Sequence, residues 1–154
     1  MPFYSVDTSS ILNGRRDLLP PSIFPSLWGN IEQMIKSGEL RAVDVVLDEL
    51  SRRDDDAHSW ARLHADLFVP LEIATQTATA EILQRHPKLL GKGGGRNGAD
   101  PFVIGMARSR SGCVVTEETP TGNILKPRIP DVCEAEGIPW VNLIQFVGAQ
   151  GWVF

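Results

Sequence analysis

The sequence predicts an α/β domain built on a mainly parallel sheet. Three observations predict it: short apolar runs with strand character are each followed at once by helical spacing; acids stand at several of those junctions; and 154 residues with 42% apolar content can enclose one substantial core. Residues 1–154 are accordingly expected to form a single domain, with no internal repeat and no separate linker.

Phe3 to Val6 reads as the first strand, ending at Asp7, and the run Thr8-Ser9-Ser10 supplies helix-capping hydroxyls. Ile23, Phe24, Leu27, Trp28, Ile31, Met34 and Ile35 recur at helical spacing, and Ser37-Gly38 is a stop. Leu40 to Val43 is the second strand, passing straight into a helix with Val45, Val46 and Leu50, on whose early turns Glu49 lies. Arg52 to Asp56 breaks the pattern. Trp60, Leu63, Leu67 and Phe68 then suggest another helix, ended near Pro70, and Leu71 to Arg85 a weaker one.

Gly91 to Gly98 contains five glycines in eight residues and reads as a loop. Asp100-Pro101 opens a helix carrying Val103, Ile104, Met106 and Ala107, with proline where a missing N–H costs little. Cys113 to Thr116 is the third strand and leads into Glu117 and Glu118. A Pro/Gly-rich loop from Thr119 to Pro130 precedes a short helix, Asp131 to Glu136, in which Asp131 and Glu134 have capping-box spacing and Gly137 is the stop. Trp140 to Leu143 is the fourth strand, and Ile144 to Gln150 the last helix.

Fifteen Lys+Arg against nineteen Asp+Glu give a net charge of −4, which excludes the broad positive field of a nonspecific polyanion binder. Nucleic-acid contact must then be local or metal-assisted. MPFYSVDTSS carries neither a basic leader nor a cleavage pattern, and no apolar run reaches a membrane span, so a cytoplasmic protein without membrane contact is expected. Cys113 and Cys133 lack zinc-site spacing and are expected to be reduced and partly buried.

In an open parallel sheet, ligands gather beyond the carboxyl ends of the strands. Asp7, Glu117 and Glu118 follow strands directly, Glu49 follows one by about a helical turn, and Asp100 starts a helix after the glycine loop. Such carboxylates repel one another and resist desolvation, so their convergence calls for a cation. An oxygen-only donor set favours Mg²⁺ or Mn²⁺ over zinc, and such ions activate water and stabilise a leaving oxygen in phosphodiester hydrolysis.

Four segments carry a resemblance: VDTSSIL at Val6 to Leu12, VVLDEL at Val45 to Leu50, ADPFVIGMA at Ala99 to Ala107 and VVTEE at Val114 to Glu118 are similar, in order and spacing, to the signature of PIN domains. The resemblance implies a three-layer α/β/α sandwich and an endoribonuclease using Mg²⁺ or Mn²⁺. It carries the catalytic acids onto Asp7, Glu49, Asp100 and Glu118, with the metal on Asp7, Asp100 and Glu118. Glu117 and Asp131 stand as alternative ligands, and Thr8, Ser9 and Thr116 as supporting residues. Where the family has Thr-x-Asp, this chain has Thr116-Glu117-Glu118. That departure supports an alternative, a PIN-fold module that binds RNA or protein with little or no turnover.

FPSLW at Phe24 to Trp28, GADPFVIGMARS at Gly98 to Ser109 and IPDVCEAEGIPWVNL at Ile129 to Leu143 resemble a bacterial PIN-like branch of undefined function, similar to toxins of toxin–antitoxin operons. An inhibitory antitoxin protein is the partner this implies, beside RNA. Exposed apolar residues on the early helices are where a homodimer or partner surface would form.

Each acid also has a structural reading. Asp7 suits an N-cap, Asp100 and Asp131 suit the first turn of a helix, and Glu49 suits a solvated helical face. GKGGGR at Gly91 to Arg96 has neither the ending nor the preceding strand of a P-loop, but Lys92 and Arg96 suit RNA phosphates. His58, His64 and His86 form no ligand pattern, and the four tryptophans read as packing residues.

Overall fold

The computed structural model describes residues 2–52, 55–90 and 98–154. Lys92, Arg96 and the glycine run around them lie outside the described residues, as does Asp54. Five strands, β1 (Tyr4–Val6), β2 (Leu40–Val43), β3 (Phe68–Val69), β4 (Cys113–Val115) and β5 (Trp140–Val141), form one sheet in the order β3-β2-β1-β4-β5. Every pairing is parallel, so the sheet is more uniform than the sequence required.

The α-helices among the described residues are α1 (Thr8–Asn13), α2 (Pro25–Ser37), α3 (Asp44–Ser51), α4 (Asp56–Leu63), α5 (Ile73–Arg85), α6 (Asp100–Ser109), α7 (Ile129–Glu136) and α8 (Leu143–Ala149). α1 continues into a π-helical turn over Gly14–Leu18. Gly38 and Gly137, the two predicted stops, adopt φ of 86° and 70° and let the chain leave α2 and α7 in the left-handed region.

Alternation along the strands builds the layers. Ser5 faces α6, donating its hydroxyl to Val103 O at 2.8 Å, while its neighbour Val6 turns to the other face among Ile11, Trp28, Trp60 and Phe146 of α1, α2, α4 and α8. α6 packs across β1, β2 and β4, and α5 packs on α6. The result is the expected three-layer sandwich. Trp28 and Trp60 are buried edge to face at 5.4 Å, and the Arg15 guanidinium covers both rings.

Two expectations need correction. The apolar run from Trp60 to Phe68 is not one helix: α4 ends at Leu63, which is exposed, and Phe68–Val69 joins the sheet as an edge strand beside β2. Helical spacing could not reveal a two-residue strand, because no period fits in two residues. α7 begins at Ile129, so Asp131 is not its cap but the third residue of its first turn. The apolar row of α2 faces the core, where Leu27, Trp28, Ile31, Met34 and Ile35 are buried, while Leu18 and Ile23 ahead of it are exposed. Among the described residues, no helix is long and apolar enough to cross a membrane, and both cysteines are free.

Candidate metal centre

The site forms where β1 and β4 end side by side. Their register pairs Val6 with Val115, and the Asp7 N–H continues the ladder by donating to Val115 O at 2.8 Å. Asp7 and Thr116 are thereby neighbours at the carboxyl edge of the sheet. α6 runs back against the strands, so its first residue, Asp100, arrives at the same edge. Asp7, Asp100 and Glu118 each offer a carboxylate oxygen, all within 4.8 Å of one another. Asp7 and Asp100 are buried, and Glu118 is half-buried.

Asp7 stands at the N-cap position of α1 but makes no side-chain capping bond. Its Oδ2 instead accepts the hydroxyls of Ser9 at 2.7 Å and Thr116 at 2.9 Å. With their protons committed to Asp7, those two hydroxyls accept the N–H groups of Glu117 at 3.0 Å and Glu118 at 3.1 Å. Ser9 and Thr116 thus tie the start of α1 to the chain leaving β4 and orient Asp7. Thr8 serves a different acid: it donates to Glu49 Oε1 at 2.9 Å, bringing the half-buried Glu49 of α3 to the margin of the trio.

The two adjacent glutamates part company. Glu118 joins the trio and is steadied by the Ile129 N–H, the first of α7, at 3.0 Å from its Oε1. Its extra methylene relative to aspartate does not keep it out. Glu117 instead accepts the Leu143 N–H at 2.7 Å, at the start of α8. Asp131 also lies outside the trio. Its carboxylate takes the N–H groups of Thr121, Gly122 and Arg128 and the Thr121 hydroxyl, at 2.8–3.1 Å. Burial pushes Asp131 up, but the Arg128 and Thr121 donors outweigh it and hold the group below the ordinary carboxylate range.

The trio is electrostatically the opposite. Burial is the main force raising Asp7, against the hydroxyls of Ser9 and Thr116. Burial, followed by the charges of Asp7, Glu118 and Glu49, pushes Asp100 up to about 10. Glu118 and Glu49 are raised by burial first and by the Asp7 charge as well. Without a cation, a proton held by Asp100 and shared by hydrogen bond with Glu118 relieves the repulsion.

A divalent ion fits this donor set. The trio is carboxylate only, which suits a hard cation. Two oxygens on one octahedral Mg²⁺ stand about 2.9 Å apart when cis and about 4.2 Å apart when trans, so the three carboxylates, already within 4.8 Å of one another, would draw together onto the ion by side-chain rotation. Ser9 and Thr116, the residues the sequence could only loosely assign, are found by their spacing to strand ends. The part played by Ile129, a backbone donor, has no side-chain signal to find.

Over residues 4–154 the chain matches the model of a family described as a domain of unknown function, DUF4411, and it belongs to that family. No curated protein matches it. In fold it is similar to VapBC2 from Rickettsia felis bound to a DNA fragment from their promoter, at 16% identity and a TM-score of 0.53 over 91% of this chain and 98% of that one. It is similar also to DNA-bound VapBC from Salmonella typhimurium, at 18% identity and a TM-score of 0.55 over 92% of this chain and 98% of that one. The fold is PIN-like, as the sequence resemblance implied.

Proposed function

We propose that this DUF4411 member is a Mg²⁺- or Mn²⁺-dependent endoribonuclease, acting as the toxin of a toxin–antitoxin pair. One observation carries the nuclease reading: acids from three separate elements converge within 4.8 Å, buried and mutually repelling, where a parallel sheet presents its ligands. In this reading Asp7, Asp100 and Glu118 hold the ion and Glu49 completes the acidic network. When bound, the ion supplies water activation and charge stabilisation at a phosphodiester.

The chain's own residues prepare that chemistry. Ser9 and Thr116 keep Asp7 oriented and biased toward its charged form. Thr8 holds Glu49 at the margin, where its carboxylate can accept a proton from an attacking water. Glu117 and Asp131, engaged by backbone donors, supply structure instead. The toxin reading is supported by the sequence resemblance and by the likeness to VapBC complexes, and it makes an antitoxin protein the expected partner.

The test is cleavage of diverse RNAs by purified protein with Mn²⁺ or Mg²⁺ and with EDTA. Metal-dependent products ending in 5′-phosphate, absent with Asp7→Asn, are expected. Metal binding without cleavage of any RNA would favour instead a PIN-fold binding module, the reading that the Glu118 departure supports.

A further inference from the structure

The loop of residues 119–128 leaves Glu118 and returns to it. It starts one residue after Glu118, and the residue that follows it, Ile129, donates its N–H to the Glu118 carboxylate. Asp131 closes this loop by collecting donors from both of its limbs, Thr121 and Gly122 on one side and Arg128 on the other. The Thr121 hydroxyl in turn accepts the Asn123 N–H at 3.1 Å. An exposed loop is thereby ordered from within by one buried carboxylate.

What that order positions is Arg128. Its Nη1 lies 3.5 Å from the Thr119 hydroxyl, next in the chain to Glu118, and its charge is felt at the Glu118 carboxylate. The side chain is exposed, and among the described residues it forms no ion pair. Arg15, Arg85, Arg108 and Arg110, by contrast, are each spent on a carboxylate. An uncommitted guanidinium held at the rim of an acidic trio, in a chain of net charge −4, is where a phosphodiester approaching those acids would find its positive partner.

We propose that Arg128 contacts the phosphate backbone of single-stranded RNA beside the acidic trio, and that Asp131 is the positioning residue that holds it there. This deepens the nuclease reading and rests on it. Arg128 binds substrate without touching the ion, so it governs RNA affinity and leaves metal affinity intact. Removing its charge even favours a cation at Glu118.

The experiment measures binding of a fluorescent mixed-sequence single-stranded RNA across a salt series, in an Asp7→Asn background that suppresses cleavage. Arg128→Ala should weaken binding about tenfold and reduce the slope of log affinity against log salt by about 0.7, the loss of one phosphate contact. Arg128→Lys should restore the slope but not all the affinity, and Asp131→Asn should fall between wild type and Arg128→Ala. Lys36→Ala, an exposed charge at the far end of α2, should change neither. With Asp7 intact, Mn²⁺ binding by Arg128→Ala should equal or exceed wild type.

Unchanged affinity and slope in Arg128→Ala would overturn the proposal, and so would a parallel loss of Mn²⁺ binding, which would mean a structural role. Displacement of the RNA by an acidic peptide at equal charge concentration would assign the arginine to a protein partner instead. If the wild type cleaves RNA and Arg128→Ala does so with unchanged KM, this inference fails while the nuclease reading stands. If the wild type binds Mn²⁺ but neither binds nor cleaves RNA, the nuclease reading falls and this inference falls with it.

Discussion

The two edges of the sheet treat carboxylates in opposite ways. At the carboxyl edge, Asp7, Asp100 and Glu118 crowd together, and burial with mutual repulsion pushes Asp100 up to about 10. At the amino edge, where α5, α6 and α7 end, the single carboxylate of Glu136 faces Arg85 at 2.5 Å, Arg108 at 2.9 Å and the His86 ring at 2.9 Å. The Arg85 hydrogen bonds, then His86, hold Glu136 down to about 2. One edge spends two arginines on one acid, whereas the other gathers acids with no arginine or lysine paired to them among the described residues. The first arrangement fastens helices together. The second is relieved only in part by a proton on Asp100, and it costs the fold stability that a bound divalent ion would return.

Breaking the fastened edge should give the largest stability change. Glu136→Ala strands two arginines and should destabilise by about 2–3 kcal/mol, less than a fully buried pair because both guanidinium groups reach solvent. Chemical denaturation at neutral pH measures it. The pH sign follows from the lowered pKa: Glu136 contributes its stability fully above the ordinary carboxylate value near 4.5, and that contribution is lost as pH falls toward about 2. Wild type and Glu136→Gln should therefore converge in stability over that acid window, as thermal melts between pH 5 and pH 2 would reveal.

At the other edge, Thr116→Val removes the hydroxyl that orients Asp7 and receives the Glu118 N–H. Mn²⁺ affinity should fall about 10–100-fold, the usual cost of a lost outer-shell partner, which calorimetric titration would detect. Smallest is Glu117→Gln. Gln keeps an acceptor for the Leu143 N–H and loses only a charge at the start of α8, so stability should drop by about 0.5 kcal/mol with Mn²⁺ binding unchanged. A strong loss of Mn²⁺ binding in that variant would move the ligand role from Glu118 to its neighbour.

Much of this contrast was legible in the sequence at the carboxyl edge and little of it at the amino edge. Asp7 and Glu118 could be found because strands end where their apolar runs end, and Asp100 because a proline marks the first turn of its helix. Choosing Glu118 over Glu117 was not possible from spacing, since the choice depends on two backbone donors, Ile129 N–H and Leu143 N–H, supplied by distant segments. Asp131 looked like a ligand or a cap because its neighbours Thr121 and Gly122 are ten and nine residues away in a loop without periodicity. The cluster at Glu136 left no signal at all, because Arg85 and Arg108 meet it only through the packing of α5 and α6 against α7.

The most direct test of the site is the melting of wild type and Asp100→Asn, each with EDTA and with Mn²⁺. In EDTA, the raised Asp100 pKa makes wild-type stability fall as pH rises between about 4 and 10, since the folded state retains a proton that the unfolded state releases. Asn removes that penalty and keeps a donor for Glu118, so at pH 8 Asp100→Asn should be more stable than wild type by about 1–2 kcal/mol and nearly independent of pH in this range. Mn²⁺ should raise the Tm of wild type and leave that of Asp100→Asn almost unmoved. A less stable Asp100→Asn in EDTA, together with a full Mn²⁺-dependent rise in its Tm, would contradict the assignment of these acids to a metal centre.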